Sequence, residues 1–309
     1  MKALFKNSSV LMQIFIFFLV LILGYVVTVL VSAILIVIQT GGSEDAISYI
    51  YSHLLEFPDI IRNLQFLQTV FFFIFPAIIC AYIFSDNYTE YLKVNSPIDL
   101  QTVGLVILSI VVVFPFINGV FALNQQMVFP EWLKGLEEWM LAKENENEEV
   151  TKVLLYADTV WVLLYNIIIV CVLTGIGEEF IFRGVLLNIT NKTIKNPHIA
   201  IWTVAVIFSA IHIQFYGFIP RLILGVYFGY LLYYTKNMWL PVIAHLVNNL
   251  IGVVLAYIYQ DVPDDDVYIE TLGADSTWWL AVTSFALFVL IVFKIKKRAK
   301  EIELQNLSA

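Results

Sequence analysis

From Val10 to Gln39 the chain runs for thirty residues without a charged side chain, and a helix needs only about 20 apolar residues to cross the hydrocarbon core of a bilayer. The apolar stretch of a cleaved signal peptide is shorter, about 7 to 15 residues, so this one reads as a retained first transmembrane helix. Further uncharged runs follow at about 64–84, 103–123, 159–177, 199–213, 222–234, 238–259 and 278–293. The two short runs, 199–213 and 222–234, count as spans if His212 and Arg221 at their edges are accommodated inside a bundle rather than facing lipid. The expected fold is therefore all-α: a polytopic integral membrane protein of about eight transmembrane helices in one bundle, residues 1–309 forming a single membrane domain.

Composition points the same way. Hydrophobic residues make up 60% of the chain and charged ones 14%, against roughly 25% charged in a soluble domain. A net charge of −8 suits no nucleic-acid partner, and the two cysteines, Cys80 and Cys171, lie inside apolar runs, which leaves neither a disulfide framework nor a cysteine-rich zinc site. The lysines and arginines of the loops set the orientation, because cytoplasmic segments carry the excess. Lys2, Lys6, Lys93, Lys192, Lys195, Lys236, Lys294, Lys296, Lys297, Arg298 and Lys300 fall on the side of the two termini, against Arg62, Lys134, Lys143 and Lys152 on the other. Both termini are thus expected in the cytoplasm of a multi-pass cell-membrane protein, with the acidic runs 144–149 and 264–266 outside. Segments 44–63 and 131–153 mix Trp, Leu and Ile with acids at helical spacing and are expected to lie along the outer interface as amphipathic helices. The last four residues contain no cysteine, so the chain is not expected to be a prenylation substrate itself.

A charged side chain at the centre of a membrane helix costs about 2.5 to 3.5 kcal/mol, so each one there needs a reason. The chain gathers such residues between 178 and 249: Glu178, Glu179 and Arg183, then His212, then His245 and Asn249. At 1.5 Å per residue, Glu178 lies roughly 20 Å and His212 roughly 25 to 30 Å from the turn near Lys192, and His245 roughly 15 Å from Lys236. Those depths allow a shared intramembrane cavity. Glu179 and Arg183 stand four residues apart on one helical face and can neutralise each other. Glu178 is rotated about 100° away, which leaves it the freer carboxylate and a candidate general base toward water, with a neighbouring histidine to hold or protonate. His245 and Asn249 again share a face and could donate two hydrogen bonds to a developing oxyanion, with Asn248, three residues from the histidine, as the second choice of amide. Any one of these residues alone reads as helix-packing glue, whereas two histidines, an unpaired glutamate and an amide on three spans exceed what packing requires.

The run from Glu178 to Arg183 fits Glu-Glu-x-x-x-Arg, Phe208 to His212 fits Phe-x-x-x-His and His245 to Asn249 fits His-x-x-x-Asn. In that order the three motifs resemble the signature of the CPBP family, the CAAX protease and bacteriocin-processing membrane proteins that include the type II CAAX prenyl endopeptidase. The resemblance covers residues 158–260, the expected catalytic core. It implies an eight-helix intramembrane endopeptidase with a site open to the cytosol, Glu178 and His212 activating a water, His245 and Asn249 forming the oxyanion hole, and Glu179 and Arg183 supporting them.

The resemblance favours a glutamate-dependent reaction without a cofactor. The alternative is a zinc ion, for which Glu178, His212 and His245 form the candidate ligand set, although no His-Glu-x-x-His run lies on one helix. The implied partners are the bilayer and a membrane-associated or lipid-linked peptide or protein substrate. Rival functions are a non-catalytic bacteriocin-immunity or scaffolding protein, which needs no such site, and a proton-coupled transporter, for which inverted repeats would be expected and none is seen.

Overall fold

The computed structural model describes residues 2–262 and 271–308, and these are helical with no strand among them. The acidic run at 264–266 lies outside the described residues. The principal helices are α1 (Val10–Gln39), α2 (Pro58–Phe84), α3 (Leu100–Gln125), α4 (Lys134–Leu155), α5 (Val160–Thr193), α6 (Pro197–Ala210), α7 (Phe218–Thr235), α8 (Trp239–Tyr259) and α9 (Trp278–Ser308). Six of them, α1, α2, α3, α5, α8 and α9, are long and apolar enough to cross a bilayer. The remaining two of the eight expected spans, α6 and α7, form a shorter helical hairpin.

Local chemistry explains where the helices begin. Ser9 caps α1 by accepting the Met12 amide at 3.3 Å, Asp99 caps α3 through Thr102 at 2.9 Å, and Asn196 precedes Pro197 at the first turn of α6. The second span begins at Pro58, earlier than the uncharged run, so residues 58–63 of the expected interfacial segment are continuous with the helix α2. The reason is Arg62. Its buried guanidinium donates to Asp59 (2.8 Å), to Asn166 of α5 (3.1 Å) and to the Tyr156 carbonyl, so the helix continues across a charge that hydropathy treats as a boundary. The preceding Glu44–Ser52 is a short separate helix, and the segment 131–153 is realised as α4 with a single 3-10 turn ahead of it.

Lateral contacts sort the loops onto two ends. The N-terminal segment bonds to the end of α2 through Ala3 with Tyr82, Phe5 with Ile83 and the Lys6–Asp86 ion pair. On the same end Met238 bonds to Lys93, Ser96 to Lys236, and Arg298 to Asp99. The opposite end gathers α4, the start of α5 and the loop 211–217, tied by Arg62 to Tyr156 and by Asn124 to Phe215. Helix α1 shows lipid-type exposure, with Leu11 80% and Ile38 69% accessible, while its Gly24 meets α2 so closely that an added Cβ would run into the Phe71 carbonyl.

Helix α5 is not a uniform α-helix. Ile167–Leu173 and Phe180–Leu186 are π-helical, and between them sits the six-residue α segment Thr174–Glu179. Two wide turns therefore bracket the two glutamates, a placement typical of functional positions in helices.

Candidate functional site

The glutamates occupy the middle of α5, where Gly175 lets α8 pass close: a Cβ there would lie 3.5 Å from the Val242 carbonyl and the Leu246 amide. Gly177 faces α2 more tightly: a Cβ there would lie only 2.9 Å from Phe73 Cβ. Small residues thus bring three helices together around Glu178 and Glu179. Both carboxylates are buried, as are Arg183 and His245.

Glu179 Oε1 accepts from Arg183 Nη1 at 2.8 Å and from His245 Nδ1 at 2.9 Å. The second Arg183 nitrogen, Nη2, donates to the Gly225 carbonyl of α7 at 2.9 Å, and the guanidinium stands over the rings of Phe208 (4.5 Å) and Phe228 (5.5 Å). A desolvated cation is thereby met by one carboxylate, one carbonyl and two aromatic faces. Phe228 also stacks on His245, with ring centroids 5.3 Å apart and planes 25° from parallel. The imidazole is held by a carboxylate at one nitrogen and by an aromatic face across its ring.

With Nδ1 committed to Glu179, the other His245 nitrogen, Nε2, points at Glu178 Oε2 across 3.7 Å. That gap exceeds a hydrogen bond. Glu178 makes no hydrogen bond among the described residues, while Glu179 accepts two at one oxygen. The bond of His245 to Glu179 brings the first half of α8 level with the middle of α5, within the reach that its sequence-based depth allows.

His212 stands two residues beyond α6. Its Nδ1 donates to the Phe208 carbonyl at 2.7 Å, which fixes the tautomer of the neutral ring with Nε2 bare. Phe208 lies edge-on to both His212 (5.0 Å) and His245 (6.1 Å), so one ring packs against both imidazoles. No hydrogen bond or ion pair joins His212 to Glu178 among the described residues. Asn249 is turned to α5, donating to the Val170 carbonyl of the first π segment at 2.9 Å, and its own carbonyl accepts from Asn248 at 3.3 Å. One amide hydrogen of Asn249 remains for another acceptor.

Among the described residues no three His, Cys, Asp or Glu side chains gather in a way that could hold a metal ion. Of the zinc set Glu178, His212 and His245, Glu178 and His245 face each other across 3.7 Å, and no hydrogen bond or ion pair joins His212 to either among the described residues. Phe208 is legible as a motif position, whereas Phe228 belongs to none of the three motifs. Only the fold shows that Phe228 forms one wall of the site.

The helices and this cluster define a multi-pass membrane protein with two carboxylates, an arginine and His245 buried together and a second histidine, His212, half-buried beside them. Residues 160–251 match the family model described as Type II CAAX prenyl endopeptidase Rce1-like, and the matched segment contains every residue of the cluster. A curated protein of Bacillus subtilis (strain 168), described as uncharacterized protein YpbD, is 30% identical over 90 residues, 28% of this chain. The matched stretch spans 43% of that relative, less than half its length. No solved structure matches the chain.

Proposed function

We propose that the protein is an intramembrane endopeptidase that hydrolyses a peptide bond of a membrane-associated substrate by water activated on Glu178. The observation that carries this reading is the pinning of His245 through Nδ1 by Glu179, which aims Nε2 at the unbonded Glu178 carboxylate. A carboxylate that holds one imidazole nitrogen orients the ring and stabilises its protonated form, the arrangement used wherever a histidine must deliver a hydrogen bond or a proton. The Rce1-like character of residues 160–251 supports the same chemistry.

In this mechanism a water hydrogen-bonded to Glu178 sits beside His245, with the bare Nε2 of His212 accepting its second hydrogen. Glu178 takes a proton as the water oxygen attacks the scissile carbonyl carbon. The resulting oxyanion receives Nε2–H of protonated His245 and the remaining amide hydrogen of Asn249. As the tetrahedral intermediate collapses, Glu178 returns its proton to the leaving amine and the C–N bond breaks. Arg183 and Glu179 touch no reacting atom; they hold His245 and keep the buried charges paired.

The test is cleavage of a mixed peptide library by purified protein in lipid. Glu178→Gln and Glu178→Ala should lower the rate by about a hundred-fold or more, in the range lost when a general base is removed. Activity should persist with a strong chelator. Loss with chelator would restore zinc as the activator, and no cleavage by the wild type would favour the scaffolding and transport readings.

A further inference from the structure

His212 is carried by a turn that its own residues do not favour. Ile213, the next residue, has φ +52°, a left-handed conformation that costs a β-branched side chain more than almost any other residue. Such a conformation persists only where the surroundings impose it, and it clusters at functional sites. Here the surroundings come from three helices. Asn124 of α3 donates to the carbonyls of Phe215 (2.9 Å) and Tyr216. Arg221 of α7 donates to the Gln214 side chain at 2.5 Å and, at 3.5 Å, to its carbonyl.

The third helix is α4, outside both the matched segment and the motif-bearing core. Met140, Glu144 and Asn147 form a stripe along its inner face, and Met140 is buried. Glu144 Oε2 accepts the Tyr216 amide at 3.3 Å, Asn147 donates at 3.5 Å to the carbonyl of Ile213 itself, and Trp139 packs on Phe215 with ring centroids 5.3 Å apart. Lys143, Glu146 and Glu148 point outward and pair with neighbours on their own helix. Helix α4 therefore spends its polar inner residues on the backbone of one loop, the loop that begins at His212.

We propose that Glu144 of α4, with Asn124 of α3, is a positioning residue: it holds the loop 211–217 in its strained form and so sets the place of the His212 ring. The inference rests on the endopeptidase reading for its effect on rate, and on the loop geometry alone for its effect on structure. The amphipathic segment thereby becomes a working part of the site.

Two measurements test it on the full-length protein in lipid. In cleavage assays Glu144→Ala should lower kcat by about 10- to 100-fold, the penalty of a misplaced catalytic group, with KM little changed. Glu144→Gln, which still offers a carbonyl oxygen to the Tyr216 amide, should stay within about three-fold of wild type. Ile213→Gly relieves the left-handed residue and, combined with Glu144→Ala, should recover most of the lost kcat. In parallel, amide hydrogen exchange of residues 211–217 should rise in Glu144→Ala and fall back in Glu144→Gln. An unchanged kcat in Glu144→Ala, a Gln variant as impaired as the Ala variant, or unchanged exchange would overturn the proposal. If the wild type does not cleave, the endopeptidase reading fails, and the exchange data still decide whether α4 holds the loop.

Discussion

Glu179 is the residue on which the cluster turns, because one oxygen serves two donors of different kinds. Arg183 supplies a fixed positive charge and His245 a ring whose orientation matters, and both converge on Oε1 within 2.9 Å. Replacing Glu179 with Ala leaves the guanidinium buried with only the Gly225 carbonyl and two aromatic faces. Breaking a buried pair from one side costs about 3–5 kcal/mol, so Glu179→Ala should lower the thermal midpoint in detergent steeply. Arg183→Ala should do the same for the converse reason, and the double variant should cost less than the sum of the two singles. Additive losses in that cycle would mean that the pair does not act as one unit.

At the level of the helices, the pairing of Glu179 with Arg183 was readable from their spacing of four, and the apolar runs were readable from length alone. Other features were not. The π-helical turns of α5 change the facing of residues without any compositional mark, and the bond from His245 to Glu179 joins residues 66 apart in the chain. Likewise Asn249 could be assigned to the site by motif, but its bond to Val170 depends on how α8 crosses α5. The tie between α3 and α9 is of the same long-range kind. Arg298 grips Asp99 in a fork, at 2.9 Å through Nη2 and 3.2 Å through Nε, while Asp99 also caps α3. Arg298 and Thr102 hold the Asp99 carboxyl well below the usual carboxylate range. A carboxyl that binds its proton less readily folded than unfolded stabilises fully above the ordinary aspartate value of about 4 and loses that contribution as pH falls through its depressed folded value. Asn is an equally good cap, so Asp99→Asn removes the charge and keeps the helix start. It should lower the midpoint at pH 7, and the difference from wild type should shrink steadily below about pH 4. A difference that stays constant with pH would assign the effect to capping instead.

Across the whole molecule the charges divide by end, and that division carries the orientation. The contacts of residues 3–6, 93–99, 236–238 and 298 gather the lysine-rich segments on one end, and α4 with its Lys143–Glu146 and Lys152–Glu148 pairs lies on the other. Positive residues concentrate on the cytoplasmic side because translocating them is unfavourable, so the termini, Lys195 and Lys236 should face the cytoplasm and α4 the outside. The chain is suited to a direct check. Both native cysteines, Cys80 and Cys171, are fully buried and should react little, so a single added cysteine reports its own position. A membrane-impermeant maleimide should label Lys143→Cys in intact cells and reach Lys195→Cys only after permeabilisation. The reverse pattern would invert the molecule, turn the α4-held loop toward the cytosol, and place the approach to His212 on the side where the family resemblance expects substrate to enter.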